Sequence, residues 1–76
     1  MKVDIKDLQV IFQKALGKET IIDITTKREE LPQWDSINQL NLIIDLEDFY
    51  NISLSRNEIE KLNSVKYLIE ILEKKQ

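Results

Sequence analysis

Apolar residues recur along most of the chain three and four positions apart, which is the period of an amphipathic helix. The first such run lies between Asp4, a helix-capping residue type, and Gly17, which is placed to end a helix in a left-handed conformation. Its apolar positions are Ile5, Leu8, Ile11, Phe12, Ala15 and Leu16. A second run starts directly behind Asp35 and continues to about Tyr50. The pattern therefore predicts two long helices in the first fifty residues.

Between these helices, residues 18–34 have no regular period. Thr20–Thr26 is rich in β-branched residues and has high strand propensity. No second convincing strand exists to pair with it, and a lone strand would leave its backbone groups unmatched. We therefore predict a long ordered connection that places Ile22 or Ile24 on the helices.

The last third of the chain predicts two further helices. Asn51–Leu54 forms a short extended link, and Ser55 then caps a brief helix that carries Ile59 and Leu62. Ser64 caps a last helix, whose apolar positions are Val65, Leu68, Ile69 and Leu72. The fold class that follows is all-α. It is an irregular bundle of three longer helices and one short helix, with a long first loop, in one domain over residues 1–76.

The second helix carries more apolar residues than one face can hold. The stripe predicted to face inward consists of Leu42, Ile43, Leu46, Phe49 and Tyr50. A different arc holds Ile37, Leu40 and Ile44, and the acids around it are Asp35, Asp45, Glu47 and Asp48. Two interpretations stand: the arc is an exposed docking face, or the helix is central and buried on two sides.

The segment before the second helix is the most informative part of the chain. Pro32 stops any preceding helix, and Asp35 is a strong capping residue, so Ser36 takes the first helical position with its hydroxyl facing water. Unpaired backbone N–H groups at that position attract an anion such as a covalently attached phosphate. The dipeptide could also be no more than a cap. Trp34 either seals the core, with its indole N–H bonded to a backbone carbonyl or water, or flanks a group attached at Ser36.

Composition removes several function classes. The 76-residue chain has neither cysteine nor histidine, which excludes disulfides, thiolate or histidine metal sites, and serine–histidine or cysteine–histidine catalysis. No acid–base pair can be placed in a recognisable pocket, so we do not expect an enzyme. No apolar run is long enough to span a bilayer, and the first residues lack the core of a signal peptide. We expect a cytoplasmic protein without membrane insertion.

Charge is distributed unevenly. The net charge is −3, but residues 29–60 hold eight acids and Arg56 as their one base, whereas the ends are mildly basic. A nucleic-acid binder would instead show a basic stripe along one element. We therefore expect no nucleic-acid partner, and we expect basic partners for the acidic middle.

Several of these residues together resemble the signature region of acyl carrier proteins. They are Trp34-Asp35-Ser36-Ile37, then Leu40, Leu42, Ile43, Leu46-Glu47-Asp48, Tyr50, Ile52 and Leu54. Leu62-Asn63-Ser64-Val65 is similar to the segment that opens the family's last helix. The resemblance extends over the whole chain in length, helix order and loop placement.

The resemblance implies that Ser36 carries phosphopantetheine through a phosphodiester and that Asp35 serves as helix cap and in recognition by the phosphopantetheinyl transferase. If the second arc of the helix is exposed, the docking residues predicted from it and its acids are Ile37, Leu40, Ile44, Glu47 and Asp48. The arm would supply the thiol that the chain lacks, hold acyl intermediates as thioesters, and present them to the enzymes of fatty-acid, polyketide or related specialised synthesis. The protein itself would catalyse nothing, bind no metal and act as a monomer.

Departures from the family pattern leave the subtype open. Many fatty-acid-synthesis carriers have acids where this chain has Asn38 and Asn41, and peptide-synthetase carrier domains have paired glycines before the serine. The tryptophan version looks more like stand-alone carriers of specialised pathways. The alternatives are an aminoacyl carrier protein with aminoacyl-loading enzymes as partners, or an unmodified helical interaction module.

Overall fold

The computed structural model describes residues 3–75, and the elements in this range are helical. They are α1 (Ile5–Leu16), a single 3-10 turn (Arg28–Glu30), α2 (Ser36–Tyr50), α3 (Arg56–Lys61) and α4 (Val65–Lys75). The expected all-α bundle of three longer helices and one short helix, with a long first loop, is confirmed. No helix within residues 3–75 is both long enough and apolar enough to cross a bilayer.

The helix boundaries follow from local capping chemistry. The carboxylate of Asp4 accepts from the N–H of Lys6 at 2.9 Å, and the hydroxyl of Ser64 accepts from the N–H of Tyr67 at 3.1 Å. Ser55 and Glu58 form a reciprocal capping box at the start of α3. These bonds satisfy donors that the first turn of a helix leaves unpaired, which explains why each helix starts where its cap predicts.

Two positive φ angles mark helix ends. Asn51 ends α2 in the left-handed conformation, with φ 54° and ψ 52°. Gly17 ends α1 with φ 126° and ψ 151°, which is not the left-handed helical conformation expected from the sequence. That region is open essentially only to glycine, so the residue type was informative although the turn geometry differs.

The four helices share one apolar core. Its most deeply buried side chains come from all four helical regions and include Leu8, Phe12, Leu42, Leu46, Leu62, Val65, Leu68 and Leu72. Tyr50 is half-buried against this core, as its place on the inward stripe of α2 predicted. Phe49 was expected on the same stripe but is 56% exposed, because it lies at the margin of the buried arc and faces a cleft beside α1.

The first loop is ordered by side-chain hydrogen bonds rather than by a strand. No strand is found within residues 3–75; one isolated bridge joins Lys27 to Ser64. The amide of Gln9 donates to the carbonyl of Thr20 at 2.6 Å and accepts from the N–H of Ile22 at 2.8 Å. Ile22 is buried, whereas Ile24 is exposed, so the first of the two expected anchors is the one used.

Short bonds also tie the end of this loop to the start of α4. The N–H of Val65 donates to the carbonyl of Thr26 at 2.9 Å, and the N–H of Arg28 donates to the carbonyl of Asn63 at 2.8 Å. The last part of the first loop, which leads into α2, is therefore held against the link between α3 and α4.

Candidate functional site

Asp35 sets the start of α2. Its backbone is extended, with φ −95° and ψ −175°, and its carboxylate accepts from the N–H of Asn38 at 2.8 Å. The side-chain amide of Asn38 in turn donates to the carbonyl of Gln33 at 2.8 Å. The cap predicted from the sequence is thus present, and a second bond braces the residues in front of it.

Ser36 is the first residue of α2, and its side chain is exposed. The hydroxyls of Ser55 and Ser64 each accept from a backbone N–H in the first turn of their helices. The hydroxyl of Ser36 does not cap its helix, because Asp35 already caps α2. The Ser36 hydroxyl has no hydrogen-bond partner among residues 3–75. Apart from the Asp35 cap itself, no acid lies in the first turn of α2, and the N–H groups that the cap leaves free, together with the helix dipole, favour an anion.

Trp34 is a core residue, only 2% exposed. Its ring meets that of Phe12 edge to face, with centroids 5.1 Å apart and an interplanar angle of 82°. The indole N–H donates to the side-chain carbonyl of Gln39 at 2.6 Å, not to a backbone carbonyl or water as expected. The sealing role is therefore observed with a different partner.

An open groove of about 640 Å³ lies beside Trp34, between the first loop and the α3–α4 link. Its wall includes the apolar residues Leu31 and Pro32 and the basic residues Lys27 and Arg28. The guanidinium Nε of Arg28 donates to the backbone carbonyl of Trp34 at 2.9 Å. That bond gives the tryptophan a third fixed contact, through its backbone.

The second arc of α2 is exposed. Ile37, Leu40 and Ile44 are 73%, 60% and 62% exposed. The interpretation in which α2 is buried on two sides is therefore wrong for this arc. Three large aliphatic side chains in water on one helix face are typical of a contact surface.

The acids around this arc are not equivalent. Asp35 and Asp48 are exposed and Asp45 is half-buried. The carboxylate of Glu47, by contrast, accepts from the backbone N–H of Leu54 at 2.8 Å and so fixes the α2–α3 link. Glu47 was predicted at the docking face, and the structure also gives it a bond inside the protein.

Gln39 is the main residue near the site that the sequence interpretation missed. It lies on α2 between the buried positions and is itself buried, one of three such polar residues in the part of the chain described. Besides accepting from Trp34, its amide donates to the carbonyl of Ile59 in α3 at 3.0 Å. A polar residue at a core position of the helical period was the available signal, since a buried amide requires partners.

Two ionisable groups further along are perturbed. Burial, and to a smaller extent the carboxylates of Asp7 and Asp4, raise the pKa of Tyr50 to about 12; its hydroxyl has no partner among the described residues. The N–H of Ser55, followed by the ammonium of Lys75, lowers the pKa of Glu58. Residues 3–75 contain no cluster of carboxylates arranged to hold a metal ion.

Comparison with known proteins gives one informative similarity. No protein-family model matches the chain, and no curated protein matches it in sequence. Among solved structures, it is similar to the solution structure of a holo acyl carrier protein from Geobacter metallireducens, with a TM-score of 0.81 and 30% sequence identity. The similarity covers 92% of this chain and 82% of that one.

Proposed function

This chain belongs to the acyl carrier protein family, and on that premise we propose that it carries a phosphopantetheine arm on Ser36. Members of the family are carriers and not enzymes, so the protein is not an enzyme. Attached through a phosphodiester, the arm supplies the thiol on which acyl groups are held as thioesters. The chain has no cysteine that could serve instead.

One observation supports the attachment point above all others. Ser36 combines an exposed hydroxyl without a hydrogen-bond partner among residues 3–75 with the N-terminal position of a 15-residue helix. The residue before it performs the capping, so modification of the hydroxyl costs the helix no bond. The phosphate would meet the positive end of the helix dipole.

The loading reaction balances with coenzyme A as the donor. The hydroxyl oxygen of Ser36 forms a new bond to the phosphorus that bears the pantetheine. The pyrophosphate bond to the nucleotide breaks, adenosine 3′,5′-bisphosphate leaves, and the hydroxyl proton passes to a base of the transferase. The requirements on this chain are exposure and a fixed position of Ser36; the transferase supplies the activation.

We further propose that partner enzymes dock on α2 through Ile37, Leu40 and Ile44, with Asp35 and Asp48 at the rim. Glu47 belongs to this rim in position, although its bond to Leu54 limits its freedom to pair with a partner. The acidic surroundings favour partners with basic contact surfaces, namely the phosphopantetheinyl transferase and the loading and synthase enzymes.

The finer expectations stay predictions. They are a single carrier domain, a stand-alone monomer, a cytoplasmic location, and service to fatty-acid, polyketide or related specialised synthesis. Whether the cargo is acyl or aminoacyl is decided by which class of loading enzyme adds mass to the thiol form of the carrier.

Intact-mass measurement tests the proposal. After incubation with coenzyme A and a broad-specificity phosphopantetheinyl transferase, we expect a gain of one phosphopantetheine unit. The gain should vanish in Ser36→Ala and persist in Ser53→Ala, a matched control at another exposed serine. An unchanged mass with several transferases would refute the carrier function and leave an unmodified interaction module.

A further inference from the structure

Gln39 is hydrogen-bonded to two separate parts of the molecule, the segment before Ser36 and α3. Its side-chain oxygen accepts from the indole N–H of Trp34 at 2.6 Å, and its side-chain nitrogen donates to the carbonyl of Ile59 at 3.0 Å. The orientation of the amide is fixed, because reversal would set donor against donor and acceptor against acceptor. One buried side chain thus links the segment before Ser36 to α3.

The Trp34 end of this link lies two residues from the attachment serine. Trp34 is also held edge to face by Phe12 and through its backbone by Arg28, so it has little freedom to move. The backbone N–H of Gln39 meanwhile donates to the carbonyl of Asp35 at 2.8 Å and closes the first turn of α2. Backbone and side chain of one residue therefore fix the segment on both sides of Ser36.

The Ile59 end of the link lies in α3, a short helix at the margin of the core. No residue of α3 is buried, and the helix has only six residues. Ile59 packs against the core at its margin, and the polar contacts of α3 outside its own helix and capping box include the bond from Gln39 and the ion pair between Glu58 and Lys75 at 3.0 Å. The buried amide is thus a direct connection between α3 and the attachment segment.

We propose that Gln39 is a positioning residue for the modification of Ser36: through Trp34 it holds the serine at the angle in which the transferase can use it. This inference rests on the proposed carrier function. The docking residues Ile37, Leu40 and Ile44 point away from the core and do not depend on the Gln39 amide. Loss of the amide should therefore leave transferase binding intact and misplace the reacting hydroxyl.

The test is Gln39→Met, which keeps the length of the side chain and removes both hydrogen bonds. Gln9→Met is a matched control, since the amide of Gln9 also makes two bonds of the same kind, to the first loop instead of Trp34. We expect kcat for loading to fall about tenfold or more in Gln39→Met, with KM within about twofold of wild type, and little change in Gln9→Met.

Two further readouts separate positioning from loss of folding. Trp34 is the only tryptophan, so Gln39→Met should alter its fluorescence in the folded protein and Gln9→Met should not. In Gln39→Glu the ionised carboxyl can accept from Trp34 but repels the carbonyl of Ile59, whereas the protonated carboxyl can serve both. Loading of Gln39→Glu, relative to wild type, should therefore recover as pH falls.

If Gln39→Met does not fold, Trp34→Phe removes the same bond from the other side and should give the same fall in kcat. Equal loading kinetics for Gln39→Met and Gln9→Met, each with a native melting transition, would overturn the inference. Failure of the wild-type protein to accept the arm would instead overturn the proposed function, so the two failures are distinguishable.

Discussion

Replacement of Leu40 by glutamine tests whether this residue lies on a docking face of α2 or on a face buried in the core. Full burial of a leucine side chain contributes roughly 1.5–3 kcal/mol to stability. Leu40 is 60% exposed, so its replacement can remove less than half of that amount. We expect the free energy of unfolding to fall by about 1 kcal/mol or less. For a domain of this size that corresponds to a decrease of about 4–8 °C in Tm at most.

The same substitution at Leu42, which is fully buried two positions along, provides the contrast. It removes a packed side chain and buries an amide without partners, so the expected loss is at least about 3 kcal/mol. A protein of this length has a total stability of roughly 4–11 kcal/mol, and Leu42→Gln should be severely destabilised.

Binding to the transferase gives the second half of the experiment. An apolar anchor at the centre of an interface contributes about 1–2 kcal/mol, so Leu40→Gln should raise Kd by about 5- to 30-fold. Ile24→Gln is the matched control, because Ile24 in the first loop is 57% exposed and lines a cleft with Ser64 and Lys66 instead of residues of α2. Equal Kd values for the two variants would refute the docking face. A loss of stability in Leu40→Gln as large as in Leu42→Gln would show that the arc is core.

Three other measurements follow from the structure. Leu46→Ala and Leu68→Ala each truncate a fully buried leucine, and each should lower the free energy of unfolding, measured in urea, by about 2–5 kcal/mol. Losses under about 1 kcal/mol for both would contradict the assignment of these residues to the buried faces of their helices. Asp48→Lys should slow association with a basic transferase and weaken its salt dependence, measured by stopped flow, with dissociation unchanged. Burial is the main cause that raises the pKa of Tyr50 to about 12. Because the unfolded chain loses this proton at a lower pH than the folded protein, we expect the free energy of unfolding to fall as pH rises from about 10 towards 12. An ultraviolet titration in which Tyr50 of the folded protein ionises near 10 would contradict this.

Helix positions were predictable because capping is a local property. Asp4, Asp35, Ser55 and Ser64 were identified as caps from residue type and the following period, and each accepts from an N–H two or three residues ahead. A bond of that span depends on the backbone beside it and hardly on the rest of the fold. Exposure of Ser36 follows for the same reason, since the residue before it takes the capping role.

The first loop shows how a tertiary contact overrides local propensity. Thr20–Thr26 has the composition of a strand, but a strand needs a neighbour for its backbone groups. The amide of Gln9 meets the carbonyl of Thr20 and the N–H of Ile22, two groups that a neighbouring strand would otherwise pair with. Nothing in the residues between Thr20 and Thr26 indicates that a helix side chain eleven or thirteen positions away fills this role.

In the candidate site too, some features depend on neighbouring residues and others on tertiary contacts. That Ser36 is exposed at a helix start depends on Asp35 and could be inferred from neighbouring residues. The direction in which Ser36 is presented depends on Trp34, whose partners lie in α1, the first loop and α2. The helical period shows that Gln39 lies on the buried arc of α2. It does not show that the hydrogen-bond donor to the Gln39 amide is Trp34, because that pairing depends on how the helices pack. For a carrier whose serine must fit the active site of another enzyme, exposure makes modification possible and tertiary contacts then determine how fast it proceeds.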